Sequence, residues 1–421
     1  MQPLQIGKFY NDEVAGHCRR VATLCRRVAS VLSLLDPLTK ALEIAAVLHE
    51  CPAPFLRPDD LNAILRATLP PGDIFPSPDC VVEASHILAV AARVSAPVDE
   101  GTELAAELLG ACNAFDEAVE FAAFDRVSLP EAIDAFQREL GAAFRPAVTS
   151  ALQFATAPVA PVHRSGRLPV LPRAAMQLMR TSEETASPAQ LHLIAASDPV
   201  LCASLLHVAN SARFGGREPV SRVVEAAARV GVPMARRVLL AACLAPLFAS
   251  KPLRDLWDHS RRIADAVSEA ARGLSSRRDM LDPDKAYTAG LLHDIGSLIF
   301  ESGPASASAA LVEWRSDGFP QVCAETLTYG QDHASAGAHL LREWNLPPAI
   351  VNAVEYHHRP EQSDSVLASL LFLAEEWSGG EPGHLSANMR RAFAEKHAGL
   401  TLDVFDRLQR DAGARGLALA G

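Results

Sequence analysis

Apolar residues recur at helical spacing along most of the chain. In "HCRRVATLCRRVASVL", His17 shares a helix face with Val21, Leu24 and Val28, at i+4, i+7 and i+11. "LWDHSRRIADAVSEAARGL" repeats the arrangement, with His259 on the face of Ile263, Ala266 and Ala270. In both segments the periodicity turns the histidine inward and the following arginine pair outward. Helix starts are marked by Asp36-Pro37, Ser187-Pro188, Asp198-Pro199 and Asp282-Pro283, which supply a capping side chain and a preset first-turn φ. Stops fall at Gly215-Gly216, Gly296 and Arg359-Pro360. No run of alternating β-branched residues interrupts the pattern, which predicts an all-α protein.

Two breaks divide it. "TAPVAPVHRSGRLPVLP", from Thr156 to Pro172, is rich in proline and polar residues, and "SGGEPGH" follows from Ser378. They predict a helical domain over 1–155, a linker over 156–167, a second domain over 168–378 and a helical tail over 385–421. The second domain subdivides at about residue 250, into 168–250 and 251–378.

At 421 residues, 49% hydrophobic and 21% charged, the chain has the composition of a soluble globular protein with room for two or three cores. No apolar run approaches the ~20 residues of a membrane span, and the first residues lack a signal-peptide apolar region. A cytoplasmic location and no membrane partner are the expectation. The net charge of −11 argues against nucleic acid as a partner. It leaves room for local basic patches: Arg19, Arg20, Arg26 and Arg27 form one cationic stripe, and Arg229, Arg236 and Arg237 a second patch beside Asn210-Ser211. Asn210 itself is expected to bond backbone at a helix end. The eight cysteines (18, 25, 51, 80, 112, 202, 243, 323) form no Cys-x-x-Cys pair and read as reduced core residues. The chain has no Gly-rich phosphate loop and no Ser-His-Asp arrangement.

The candidate chemistry lies in the second domain. His259, the pair His293-Asp294 in "AGLLHDIGSL", His333, the pair His357-His358 and Glu375 are seven imidazole or carboxylate groups. That donor set suits one or two first-row divalent ions such as Fe, Mn, Ni or Zn. Adjacent His and Asp side chains point about 100° apart on a helix, so they converge only on something between helices, such as an ion or a pair of ions bridged by the Asp.

The order His, His-Asp, His, His-His, acid resembles the HD superfamily of metal-dependent phosphohydrolases, in particular the HD-GYP phosphodiesterases. That resemblance implies an Asp294 bridging two metals that activate water for attack on phosphorus. Two departures stand out. "YHHRPEQSDS" replaces the GYP segment, and Glu375 stands where an Asp is usual. The preceding segment, with Leu168-Pro169, Leu171-Pro172, Asp198-Pro199, Asn210-Ser211 and "AARVG" ending at Gly231, closely resembles the HDOD domain. The likeness continues through "LWDHS", "AGLLHDIG" and "DHASAGAHLLREWNLPPAIVNAVEYHH". An HDOD domain implies a helical signalling-output module, often with incomplete metal ligands.

The first domain echoes the second. His17 to His49 spans 32 residues and His259 to His293 spans 34, by subtraction of their numbers. "AAVLHECPAP" carries Glu50 after His49, and aligning "LLGACNAF" with "LLFLAEEW" sets Asn113 opposite Glu375. His86, on a helix, reads as structural. The fold is therefore expected to be two HD-type helical domains in tandem, the first a degenerate HD-GYP-like relic and the second an HDOD domain. Two functions follow. The preferred one is a bacterial regulatory protein working by binding a signalling partner or a nucleotide ligand rather than by turnover, with links to cyclic di-GMP signalling and with a homodimer left open. The other is a metal-dependent phosphohydrolase or phosphodiesterase acting on a nucleotide or cyclic dinucleotide.

Overall fold

The computed structural model describes residues 12–50, 78–91, 99–124, 129–139, 143–161, 171–181, 186–214, 218–274 and 281–378, with 393, 394, 398 and 406. Every regular element among them is helical, so the chain is all-α. Apart from those last four positions, the expected tail over 385–421 lies outside the described residues, as does the linker beyond Pro161.

The chain forms two compact units, and they are not the two contiguous stretches that the linker suggested. Unit 1 comprises Met1–Pro161 together with Pro304–Gln331; unit 2 comprises Val162–Gly303 and Asp332–Gly421.

Unit 1 holds helices α1 (Asp12–Val31), α2 (Asp36–Leu48), α3 (Pro78–Ala91), α4 (Glu100–Phe124), α5 (Leu129–Glu139) and α6 (Pro146–Ala155). It also takes α15 (Ala305–Ser316) and α16 (Gln321–Tyr329) from the middle of the predicted second domain. The reason is apolar burial: Trp314, Phe319, Cys323 and Leu327 sit in one core with Leu24, Leu108 and Phe115. Arg27 stacks its guanidinium 3.8 Å over the Trp314 ring and pairs with Glu313 at 2.8 Å. The cationic stripe of α1 is therefore only half a stripe. Arg19 and Arg26 are exposed, whereas Arg27 is half-buried and Arg20 is buried.

Unit 2 holds α7 (Arg173–Arg180), α8 (Pro188–Ala195), α9 (Pro199–Ala209), α10 (Val223–Val230), α11 (Val232–Leu244), α12 (Lys251–Leu274), α13 (Pro283–Leu292) and α14 (Ser297–Glu301). After the excursion into unit 1 it resumes with α17 (His333–Glu343), α18 (Pro348–Glu355) and α19 (Val366–Ser378). Ser187 makes a capping box with Gln190, Asp198 caps α9, and Asp282 caps α13 through the amides of Asp284 and Lys285. Asp36 behaves differently: it is the first residue of α2 behind Leu35, and no side chain caps that end.

The second arginine patch is also not a surface feature. Arg236 and Arg237 both bind the buried Asp284, at 2.6 and 2.8 Å. Asn210 bonds the backbone of Val220 in both directions, as expected of it. Cys18, Cys25, Cys112, Cys243 and Cys323 are buried free thiols and Cys202 is half-buried; Cys51 and the side chain of Cys80 lie outside the described residues. Among the described residues, no single helix is long and apolar enough to cross a membrane.

Candidate metal centre

All seven predicted groups of unit 2 converge, and small residues explain how. Gly290, three residues before His293, packs against α12. A Cβ there would lie 2.5 Å from the Ala264 Cα, so only glycine lets the two helices come this close. That contact sets His259, five residues before Ala264, beside His293. The chain after Leu292 turns at residues 293–296, and Gly296 abuts the start of α17, where a Cβ would lie 2.0 Å from the His333 carbonyl oxygen. Gly296 therefore does more than stop a helix. It brings His333 against Asp294.

The donors fall into two sets. His259, His293, Asp294 and Glu375 form one, and His333, His357 and His358 the other. In the first set, Glu375 Oε1 lies 2.9 Å from His259 Nε2 and 2.6 Å from His293 Nε2. Asp294 Oδ2 lies 3.1 Å from His293 Nε2 and 3.7 Å from His259 Nε2. The other Asp294 oxygen, Oδ1, faces the second set, at 3.2 Å from His333 Nε2 and 3.7 Å from His357 Nε2. His333 Nε2 is 2.9 Å from His358 Nε2 and 3.4 Å from His357 Nε2. Asp294 thus stands between the sets with one oxygen toward each.

Two of the imidazoles are held by their outer nitrogens. His293 Nδ1 donates to the Gly290 carbonyl at 2.8 Å and His357 Nδ1 to the Val354 carbonyl at 2.6 Å. Each bond holds a proton on Nδ1 and leaves Nε2 facing inward. His293 Nε2 is buried and makes no directed hydrogen bond despite its nearness to both carboxylates. A buried polar atom without a partner is costly, and a cation among these donors removes the cost. The residues fit a pair of divalent ions, with imidazole favouring first-row transition metals over Mg or Ca.

Electrostatics follow the same grouping. Burial disfavours a charged His293, but the Asp294 and Glu375 carboxylates overcome it and raise the imidazole to about 10. Burial would raise the two carboxyls, yet His293 and its neighbours hold both well below the ordinary range. Burial pushes His357 and His358 down, to the neutral form that a metal ligand needs. The core of the cluster is closed, with His293 and His357 at 0% exposure, while Asp294, Glu375 and His259 are 14–20% exposed at its rim.

Two supporting residues escaped the sequence reading. Asp332 caps α17 through the Ser335 amide at 2.7 Å and pairs with Arg359 at 2.7 Å, tying the His333 end of α17 to the turn that carries His357 and His358. Burial opposes its ionisation, but Arg359 and the cap bond bring its carboxyl down to about 2. The signal was present as Asp332-x-x-Ser335 at the head of a helix.

In unit 1, His17, His49 and Glu50 also converge. Asn113 lies 2.9 Å from His49 Nε2, so it occupies the place relative to His49 that Glu375 occupies relative to His293. Asp116, one turn after Asn113, was not predicted. It binds His17 Nδ1 at 2.8 Å and accepts two bonds from Arg20, each 2.8 Å. Arg20 accordingly points inward, against the expectation that the arginine pair faces solvent.

Comparison with known proteins locates a family within the chain. Residues 168–360 match the HDOD domain and form an HDOD domain. An uncharacterized protein of Treponema pallidum is 25% identical over 213 residues, covering 49% of this chain and 41% of that protein. Ribonuclease Y of Opitutus terrae is 29% identical over 136 residues, covering 32% of this chain and 20% of the ribonuclease. The chain thus spans well under half the length of either relative. Among solved structures, an HDOD domain protein of unknown function from Geobacter sulfurreducens superimposes with a TM-score of 0.49 at 22% identity, over 59% of this chain and 89% of that one.

Proposed function

We propose that unit 2 is a two-ion centre that hydrolyses a phosphoester, with a nucleotide or cyclic dinucleotide as the substrate class. One observation carries this reading: seven donors divide into two sets, and the two oxygens of Asp294 face one set each. His259, His293, Glu375 and Asp294 Oδ2 would hold one ion; His333, His357, His358 and Asp294 Oδ1 the other. Bound there, the ions supply charge for the phosphoryl oxygens and a water of lowered pKa.

The chain's own residues do the rest. Asp294 fixes the separation of the two sets. The carbonyls of Gly290 and Val354 keep His293 and His357 aimed inward. The partly exposed rim at His259, Asp294 and Glu375 is the side from which a phosphoester reaches the cluster. The likeness to ribonuclease Y, by its name a nuclease and so a phosphodiesterase, supports the same chemistry.

The HDOD match favours a second reading, a regulatory protein whose metal centre binds a nucleotide or a signalling partner without turnover. One experiment separates them. Full-length protein purified without chelator or affinity metal is assayed for Fe, Mn, Ni and Zn beside the His293→Ala/Asp294→Ala variant. Both are then tested for hydrolysis of bis(p-nitrophenyl) phosphate and cyclic dinucleotides. The expected result is turnover in the native protein that the folded variant lacks, and metal in the native protein beyond whatever the variant still holds. Metal without turnover selects the regulatory reading. No excess of metal over the variant, even after reconstitution, overturns both metal-based readings.

A further inference from the structure

The lone pairs in unit 1 raise a question that the cluster in unit 2 does not answer. His17 Nδ1 is engaged by the Asp116 carboxylate at 2.8 Å, and His49 Nδ1 donates to the Ala46 carbonyl at 2.6 Å. Both acceptors lack a proton, so each imidazole carries its proton on Nδ1 and, when neutral, a lone pair on Nε2. Those two Nε2 atoms lie 3.0 Å apart. Asn113 donates its Nδ2 to Glu117 at 2.9 Å, which turns its amide oxygen toward His49 Nε2, also at 2.9 Å. The Glu50 carboxylate completes the group at 3.4 Å from His49 Nε2 and 3.8 Å from His17 Nε2. Two nitrogens 3.0 Å apart and two oxygens, each 2.9–3.8 Å from one or both of them, therefore gather with their lone pairs turned toward the same space. A shared proton satisfies one such contact; a cation at the centre satisfies all four.

We propose that unit 1 binds a single divalent first-row transition-metal ion through His17 Nε2, His49 Nε2, the Asn113 amide oxygen and the Glu50 carboxylate. Imidazole ligands select this class over Mg and Ca. The surroundings are built for it. Asp116 is fully buried, receives two bonds from Arg20 and orients His17, which is the carboxylate–histidine–metal arrangement that fixes a ligand's tautomer. His17 and His49 are each 10% exposed, and Glu50 is 47% exposed, so an ion reaches the site from solvent and Glu50 is free to close on it. His17 lies on α1, His49 follows α2 and Asn113 lies on α4, so the ion pins three helices of unit 1 together. The expectation of a relic rests on Glu50 in place of Asp, on Asn113 in place of an acid, and on the lack of any match to His333 and the His357-His358 pair. Both substituted residues still present an oxygen to the same two histidines.

The test uses the full chain in the His293→Ala/Asp294→Ala background with His333→Ala added, which breaks both donor sets of unit 2. After incubation with Co²⁺ or Zn²⁺ and gel filtration, the protein retains about one equivalent of metal with the d–d bands of nitrogen–oxygen ligation for Co²⁺. The melting temperature rises by several degrees with the metal, as linkage requires of an ion that binds the folded state. Adding His49→Ala abolishes both effects. Should that variant not fold, Glu50→Gln at the half-exposed position lowers affinity by about 10-fold or more. If the background itself does not fold, wild type and Glu50→Gln are compared directly, and wild type retains about one equivalent more. A folded background that retains no ion and shows no thermal shift overturns the proposal and leaves a proton shared between His17 and His49. That result leaves the centre in unit 2 untouched.

Discussion

The two units build the same half of a site and finish it differently. In each, a long helix supplies one histidine, the next helix ends in a histidine followed by an acid, and a later helix supplies an oxygen: His17, His49, Glu50 and Asn113 against His259, His293, Asp294 and Glu375. Even the small bond repeats, since His49 and His293 both donate Nδ1 to a carbonyl three residues earlier. The difference lies in what faces the far side of the acid. Asp294 is short, 14% exposed, and its second oxygen meets His333 and His357. Glu50 is longer and 47% exposed. The shared half is a place for one ion. A second place depends on α17 and the turn after α18 being brought against the acid.

The largest effect should come from the buried acids that hold arginines in each unit. Asp116 binds Arg20 and His17, and Asp284 binds Arg236 and Arg237. Replacing either by Ala leaves buried guanidinium without its partner, which costs roughly 3–5 kcal/mol. Urea unfolding monitored by circular dichroism should show it for both. A loss below about 1 kcal/mol at Asp116 would remove it as the brace of the unit 1 cluster. Next comes Asp294→Asn, whose amide group presents a donor where an anionic oxygen served both sets. Metal affinity in unit 2 should fall by roughly 100-fold or more, at the upper end of the losses seen even for supporting partners. Unit 1 should be unaffected. A parallel loss of metal in both units would break the comparison.

Gly290→Ala and Gly296→Ala should cost somewhat less, about 1–3 kcal/mol each for forcing atoms into a filled space. They differ in what they disturb. A Cβ at 290 presses on Ala264 and so on the helix carrying His259; a Cβ at 296 presses on the His333 backbone. In the folded Gly296→Ala protein, the ion on the His333 side should be lost first, seen as one equivalent released by a weak chelator before the other. Equal release of both would mean that the contact does not position His333.

These glycines show where the sequence was legible and where it was not. The helical period, the Ser187, Asp198 and Asp282 caps and the seven unit 2 groups that come together could be read directly, because each is a local pattern or a residue type with few uses. The role of Gly290 could not, since close approach to Ala264 is a property of two helices. For the same reason Arg20 read as solvent-facing. Periodicity puts it off the His17 face, and only the position of Asp116, 96 residues later, draws it inward. The assignment of α15 and α16 to unit 1 was hidden too. Trp314 and Phe319 mark a core, but their spacing does not say whose.

The smallest prediction concerns pH and again divides the units. Asp99 caps α4, the helix that carries Asn113, accepting the Thr102 amide at 2.7 Å and the Thr102 hydroxyl at 2.9 Å. Those bonds, the backbone bond first, favour the ionised form and hold its carboxyl below the usual 3.8. A carboxyl whose folded pKa lies below its unfolded one contributes stability that is fully present above the unfolded value. That stability is lost as pH falls through the folded value. Asp99→Ala should therefore lower the denaturation midpoint of unit 1 at pH 5 and lower it progressively less as pH drops below 3.8. Asp282→Ala, which uncaps α13 in unit 2, should cost about 1 kcal/mol at pH 5 and leave that acid dependence of unit 1 in place. A difference between wild type and Asp99→Ala that stays constant down to pH 2.5 would show that the side chain acts there by packing, with its charge playing no part.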